Sequence, residues 1–125
     1  MRKEPLNQKT NKSTRYYSTV QEKGVSKKIG GTRVCNSGAT PFYKGDVVTD
    51  QFLIDCKTCT SEKKSVSIKK DWLDKIRKEA FASGKPHYAL FFNYGGESSE
   101  NYVIISEKDF LQYQFYLQED DGRNE

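Results

Sequence analysis

Blocks of apolar residues separated by short polar runs predict a chain of alternating helices and strands. Short runs of β-branched and aromatic residues that end at Gly, Pro, Asn or Asp indicate strands, whereas apolar residues at helical spacing indicate helices. The predicted helices cover residues 19–29, 68–84 and 107–117, and the predicted strands cover 32–35, 45–49, 52–58, 87–94 and 102–105. This order predicts an α/β fold in which a central mixed five-stranded sheet is flanked by helices.

The second predicted helix carries its own start and packing signals. Trp72, Ile76 and Ala80 fall at i, i+4 and i+8, which is the spacing of a stripe that faces a core. Ser67 is placed to cap this helix. Trp72 is therefore interpreted as a core residue, and base stacking is the alternative.

A tight β-hairpin is predicted in the middle of the chain, with Asp50 and Gln51 as its two turn residues. In the antiparallel register through that turn, Asp46 lies opposite Asp55, and directly opposed Cβ atoms are about 5 Å apart. Period-two alternation places Lys57 on the same face as Asp55. The sequence therefore predicts that two carboxylates and an ammonium group meet in one patch.

Such a patch suits a divalent metal ion. Two like charges at this distance repel unless a cation lies between them. Mg²⁺ prefers oxygen ligands and fills its remaining positions with water and phosphate oxygens. With Mg²⁺, or Mn²⁺ as a substitute, Asp46 and Asp55 would bind the metal and Lys57 would position the attacking water or stabilise charge on a phosphate. The alternatives are a solvated hairpin end, or Asp50 in place of Asp46 as the ligand.

Five short motifs follow one another around this hairpin: SGA at 37–39, KGDV at 44–47, LIDCKT at 53–58, KKSVSIKK at 63–70 and Trp72. In order and spacing they resemble the PD-(D/E)XK nuclease superfamily, in particular its small phage and archaeal members similar to Holliday junction resolvases. The resemblance covers residues 21–106.

The resemblance implies a restriction-endonuclease-like fold and a Mg²⁺-dependent endodeoxyribonuclease that leaves 5′-phosphate ends. Carried over position by position, it implies the metal ligands Glu22, Asp46 and Asp55, with Lys57 completing the catalytic set. Asp55 stands where Glu is commoner in the family. Glu22 has an alternative role, because Thr19 and Glu22 also form a capping box for the first helix.

The substrate that the resemblance implies is branched DNA such as a four-way junction, as in DNA recombination and repair. Two symmetric cuts predict a homodimer. The candidate dimer surfaces are an apolar edge of the sheet and the aromatic-rich final helix with Phe110, Tyr113, Phe115 and Tyr116. The alternatives are a restriction-type or repair-type nuclease on duplex or single-stranded DNA, and a catalytically inactive DNA-binding or partner-binding module of the same fold.

Positive charge is concentrated near the start of the chain. The first 33 residues hold nine Lys or Arg and two Glu, whereas the net charge of all 125 residues is +4. Because basic residues release counterions from phosphates, this asymmetry favours a polyanionic partner, with a solvated basic tail as the alternative. The predicted DNA-binding residues are Arg15, Lys27, Lys28, Arg33, Ser37, Lys44, Lys63, Lys64, Lys69 and Lys70.

One nuclease domain is predicted at 16–118, preceded by a basic disordered arm at 1–15 and followed by an acidic tail at 119–125. No run approaches the ~20 apolar residues of a membrane span, and the basic start lacks the apolar segment of a secretory signal. The cysteines Cys35, Cys56 and Cys59 are therefore predicted to be reduced thiols of a cytoplasmic protein, in the host cell cytoplasm for a phage-encoded one.

Four further positions are interpreted as structural. Cys56 alternates with apolar strand residues and is predicted to be a core side chain, since a zinc site with Cys59 lacks a second ligand pair. His87 opens a strand with no second metal-ligating residue nearby. Ser106 is predicted to cap the last helix, with Asp109 completing a capping box.

Overall fold

The structure, a computed structural model, describes residues 14–34, 45–96 and 100–123, with side chains from residue 15 to residue 120. The elements in chain order are α1 (Thr14–Ile29), β1 (Thr32–Arg33), β2 (Val47–Val48), β3 (Phe52–Lys57), α2 (Lys70–Ala82), β4 (His87–Phe92), β5 (Tyr102–Ile104) and α3 (Glu107–Arg123). This order and the five-stranded mixed sheet confirm the predicted α/β architecture.

The five strands lie in the sheet in the order in which they occur in the chain. β1, β2 and β3 form an antiparallel meander, β3 and β4 are parallel, and β5 returns antiparallel to β4. The parallel pair needs a crossover, and α2 supplies it. β3 is therefore paired along both of its edges, and its last residues, Asp55 to Lys57, lie beside β4.

The hairpin register is the predicted one. The observed pairs are Val47 with Ile54 and Val48 with Leu53. The turn has no glycine; instead the Thr49 hydroxyl accepts a hydrogen bond of 2.9 Å from the Phe52 amide, which holds the two strands at the turn. Beyond β2, the Asp46 amide donates to the Ile54 carbonyl at 2.8 Å, and this bond brings Asp46 next to Asp55.

Alternation along β3 divides the core between the two sides of the sheet. On the α1 side the buried cluster is Val25, Val47, Ile54, Cys56 and Ala89. On the α2 side it is Leu53, Ile76 and Ala80. Because Asp55 and Lys57 follow Leu53 at period two, their side chains belong to the α2 side, at the carboxyl end of the strand.

Two predicted helix caps are wrong. The structure has α1 from Thr14, so Thr19 lies within the helix and the capping box with Glu22 does not form. Tyr17 and Ser18, which precede Thr19, are half-buried. Their packing favours a helix that begins before Thr19, and this outweighs the favourable capping position. The N-cap of α2 is Lys69, with no side-chain capping hydrogen bond, so Ser67 does not cap it.

The last helix begins as predicted and runs further. The Ser106 hydroxyl accepts a hydrogen bond of 3.1 Å from the Asp109 amide, which confirms the cap. The Asp109 carboxylate does not close a capping box; it contacts His87 Nδ1 at 2.8 Å. α3 continues to Arg123, past its predicted end at residue 117.

The predicted basic arm and the predicted acidic tail are only partly within the described residues. Residues 1–13 of the predicted arm fall outside the described residues, and Thr14 and Arg15 open α1. The predicted acidic tail begins within α3. None of the helices in the described part of the chain combines the length and the apolar character that a membrane span requires.

Candidate active site

The centre of the candidate site is a pair of carboxyl groups. Asp46 and Asp55 share a hydrogen bond between their side chains. Asp46 Oδ2 also accepts a hydrogen bond of 2.8 Å from the Cys56 amide, which fixes the orientation of the carboxyl group. The structure thus brings together the two acidic residues that the hairpin register predicts.

The environment of this pair disfavours two negative charges. Burial raises the pKa of Asp46 to about 7 from its ordinary value of 3.8; the hydrogen bond to Asp55 and the negative charges of Asp55 and Glu22 act in the same direction. The hydrogen bond from the Cys56 amide partly opposes the rise. In the absence of a counter-cation, the pair therefore holds a proton up to neutral pH.

This pKa predicts how stability changes with pH. Asp46 binds its proton more tightly in the folded protein (pKa about 7) than in the unfolded chain (3.8), so the folded state holds more protons between these values. The free energy of unfolding should therefore fall from about pH 4 to pH 7, by on the order of 3 kcal/mol, and level off above.

Urea unfolding in chelator at a series of pH values measures this fall. In the Asp46→Asn variant the side chain can make the same hydrogen bonds but has no ionisable group. Its free energy of unfolding should therefore not fall between about pH 4 and pH 7 in this way. Parallel profiles for the two proteins would show that Asp46 titrates in its ordinary range.

Lys57 lies between a carboxylate and an aromatic ring. Its Nζ is 3.5 Å from Asp55 Oδ2 and 4.6 Å from the centre of the Trp72 ring. Lys69 Nζ lies over the same ring at 5.9 Å. A cation over an indole face is attracted by the ring quadrupole, so Trp72 and Asp55 together restrict where the Lys57 ammonium group can lie.

Trp72 is thus not the core residue that its helical spacing predicts. Ile76 and Ala80 of the same stripe are buried, whereas Trp72 is half-buried at the start of α2. Its ring lies next to the ammonium group of Lys57, which extends from the end of β3. A tryptophan among four nearby lysines was the available signal for this position.

Glu22, the third predicted metal ligand, lies within electrostatic reach of the pair and is engaged elsewhere. Its negative charge contributes to the raised pKa of Asp46. Glu22 Oε1 accepts a hydrogen bond of 3.3 Å from Arg33 Nη2. Among the described residues, no group of three His, Cys, Asp or Glu side chains converges as a ready metal site. The structure therefore assembles Asp46, Asp55 and Lys57, and leaves Glu22 in an ion pair.

The predicted DNA-binding residues are distributed over two surfaces. Lys63, Lys64, Lys69 and Lys70 are exposed on the segment from the end of β3 to the start of α2, and Lys70 pairs with Asp74 at 2.9 Å. Arg15, Lys27 and Lys28 are exposed on α1, and Arg33 is the partner of Glu22. Ser37 and Lys44 lie outside the described residues. The surface with Lys63 to Lys70 belongs to the segment that directly follows Lys57 in the chain.

A buried amide network, which the sequence did not indicate, holds the end of β3. Gln21 and Asn93 are each 6% exposed. Gln21 Nε2 donates to the Lys57 carbonyl at 2.8 Å and to Asn101 Oδ1 at 3.2 Å. Asn93 Nδ2 donates to Asn101 Oδ1 at 3.1 Å, and Thr58 donates to Asn93 Oδ1 at 2.8 Å. The backbone of the candidate catalytic lysine is thereby tied to α1 and to the loops around β5.

Gln21→Leu should lower the free energy of unfolding by about 1–3 kcal/mol, because the Lys57 carbonyl loses the Gln21 donor and Asn101 Oδ1 keeps only the donor from Asn93. Urea unfolding measures the change. Gln51→Leu, in the exposed hairpin turn, is the matched control and should leave stability within about 0.5 kcal/mol. Equal effects of the two substitutions would contradict a structural role for the network.

Cys56 is the core side chain that the sequence predicts, and His87 makes packing and hydrogen-bonding contacts within the fold. Cys56 is 7% exposed within the α1-side core, and burial raises the pKa of its thiol far above the ordinary range. Cys56 and Cys59 are free cysteines, and Cys35 lies outside the described residues. The ring of His87 stacks on Phe52 at 5.0 Å and joins β4 to α3 through Asp109. Neither Cys56 nor His87 faces the carboxylate pair.

Comparison with known proteins identified no relative of this chain. Protein-family models, curated proteins and solved structures were compared with the chain, and none matched. Function is therefore inferred from the chemistry of the site and from the order of its short motifs.

Proposed function

We propose that the protein is a Mg²⁺-dependent endodeoxyribonuclease of the PD-(D/E)XK kind. The observation that carries the proposal is the meeting of the Asp46 and Asp55 carboxyl groups with the Lys57 ammonium group at the end of β3. Two acidic groups and a lysine are the chemical groups that metal-assisted phosphodiester hydrolysis requires. The order of helices and strands along the chain is also the one that the sequence resemblance implies.

The residues present fit a hard divalent cation. Asp46 and Asp55 offer carboxylate oxygens, the donors that Mg²⁺ prefers, and Mn²⁺ accepts the same set. A cation there would take the place of the shared proton and relieve the repulsion that raises the pKa of Asp46. Glu22 becomes available as a further oxygen donor when its bond to Arg33 opens. When bound, the metal supplies charge neutralisation at the scissile phosphate and acidifies a water molecule.

Lys57 supplies an oriented positive charge. The contacts with Asp55 and the Trp72 ring hold the ammonium group, and Gln21 holds the main chain of the same residue. A positive charge fixed before the substrate arrives stabilises negative charge on a phosphate without reorganisation, and its N–H groups can orient the attacking water.

DNA is the proposed polyanion. The lysines between β3 and α2 extend the positive charge from Lys57 along a surface that can contact successive phosphates, and such contacts position a duplex without reading its sequence. Branched DNA, such as a four-way junction, is the proposed substrate class, and the resemblance to junction-resolving nucleases supports that choice. The proposed place of action is the cytoplasm, where free thiols such as Cys56 and Cys59 stay reduced.

A substrate panel tests the proposal. The full chain is incubated with labelled four-way junction, flap, linear duplex and single-stranded DNA, in Mg²⁺, in Mn²⁺ and in chelator. We expect metal-dependent cleavage that is fastest on the junction. Equal cleavage of linear duplex would replace junction resolution with a restriction-type or repair-type activity. Binding without cleavage of any substrate in either metal would favour an inactive DNA-binding module.

A further inference from the structure

An apolar groove lies on the α1 side of the sheet, beyond the part that α1 covers. α1 packs mainly over β1, β2 and β3, and the sheet surface toward β5 is left open on this side. The groove has a volume of about 410 Å³. The large apolar residues that line it are Ile29, Phe52, Ile54, Phe91, Val103 and Ile105. Val103 is 49% exposed, so the floor of the groove reaches the molecular surface.

α3 is a largely polar helix whose large apolar side chains are not packed against the rest of the described chain. It is tied to the sheet at its first turn, where Asp109 contacts His87 at 2.8 Å. From Phe110 to Asp120 every side chain is exposed. The large apolar side chains of this stretch are Phe110, Leu111, Tyr113, Phe115, Tyr116 and Leu117, each between 42% and 59% exposed. Phe110, Tyr113 and Leu117 fall at i, i+3 and i+7, with Tyr116 beside them; these three aromatic residues and one leucine are called the aromatic face of α3.

We propose that the groove receives the aromatic face of α3 from a second copy of this chain, so that two copies exchange their last helices. The inference does not depend on the proposed nuclease activity, since it uses none of the site residues. One chain carries both an uncovered groove and an unpacked helix, and a two-fold dimer satisfies both at once in a closed assembly. Within one copy α3 does not fill the groove, since every side chain from Phe110 to Asp120 is exposed.

The area available matches a stable interface. A fully buried aromatic side chain contributes about 150–250 Å², so four half-exposed side chains of the aromatic face bury about 400 Å². The groove buries a similar area of accessible surface, and a dimer that exchanges its last helices contains two helix-in-groove contacts. The total of roughly 1,600 Å² is the size of a standard specific protein interface.

Charge complementarity favours the same partner. Ile29 lines one end of the groove, and the exposed Lys27 and Lys28 precede it in the last turn of α1. The carboxyl end of α3 is acidic, with Glu119 and Asp120. An incoming helix whose acidic end lies near these lysines is oriented by the attraction, because complementary charges at the rim of an interface set its register.

The first test is the mass of the full chain in solution, measured by light scattering and sedimentation over about a hundredfold range of concentration. We expect a dimer. Tyr113→Asp on the aromatic face and Val103→Asp in the groove should each give a folded monomer, because both positions are solvent-exposed within one copy. Gln118→Asp, on another face of the same helix, is the control and should remain a dimer. A wild-type monomer at every concentration would overturn the proposal.

Mixing the two monomeric variants distinguishes exchange from other dimers. The Val103→Asp protein keeps an intact α3, and the Tyr113→Asp protein keeps an intact groove, so an equimolar mixture should form heterodimers through one helix and one groove. Pairing of the two α3 helices with each other would leave Val103→Asp dimeric. That result, or a mixture that stays monomeric, would overturn the exchange. A monomeric wild type whose thermal stability falls with Tyr113→Asp would show that α3 folds back into its own groove.

Discussion

Asp46→Asn should reduce the rate of metal-dependent DNA cleavage by at least ~100-fold. The variant should remain folded and should be more stable than the wild type at about pH 8. The amide keeps an oxygen for the Cys56 hydrogen bond and gains a donor for Asp55, so the buried pair remains satisfied without its second negative charge. The loss concerns metal binding, and DNA affinity in chelator should be unchanged. Cleavage rates, DNA binding and urea unfolding on the same preparation measure the three effects.

The matched control is Asp50→Asn. Asp50 is the other acidic residue of the hairpin, and it lies in the exposed turn at the end opposite the site. Its substitution should change neither cleavage nor stability. Loss of cleavage in Asp50→Asn with retained activity in Asp46→Asn would mean that the metal lies at the turn, and the proposed site would be wrong.

Lys57→Met should reduce cleavage by about 100-fold to 1,000-fold with little change in DNA binding or in metal binding. Methionine keeps an unbranched apolar side chain that can pack on Trp72, one atom shorter than that of lysine, but it removes the charge that lies 3.5 Å from Asp55. Single-turnover cleavage at saturating DNA isolates the chemical step, and a filter or gel assay in chelator measures binding.

Lys69→Met separates this effect from a general loss of positive charge. Lys69 lies over the same ring, at 5.9 Å, but it is not paired with the carboxylates. Its loss should weaken DNA binding modestly, in a salt-dependent way, and leave the single-turnover rate nearly unchanged. If both lysine variants lose the same fraction of the single-turnover rate, the effect is a general loss of positive charge, and the specific role proposed for Lys57 is wrong.

The hairpin and its acidic pair could be predicted from sequence because a few local rules determine them. Period-two alternation and a two-residue turn leave one register in which the apolar residues Val47 and Ile54 face the core. Once that register holds, Asp46 and Asp55 must be neighbours. The order of elements followed from the same rules, since each strand or helix carries its own periodicity.

The surroundings of the pair could not be predicted, because they depend on contacts between distant elements. Gln21, Asn93 and Asn101 come from α1 and from two loops, and nothing in their local sequence distinguishes them from surface amides. Trp72 has the spacing of a core residue, yet it lies where α2 begins and Lys57 reaches it. The start of α1 was misplaced for a related reason, since packing of Tyr17 and its neighbour in the helix outweighed a good capping position.

The position of β3 has a consequence for how the molecule opens. Because this strand has a partner along each edge, its amides can exchange with solvent only after β2 or β4 has separated, whereas the short outer strands β1 and β5 can fray independently. Fraying of the outer strands β1 and β5 therefore leaves the spacing of the two acidic groups intact, and that spacing is lost only when β2 separates from β3.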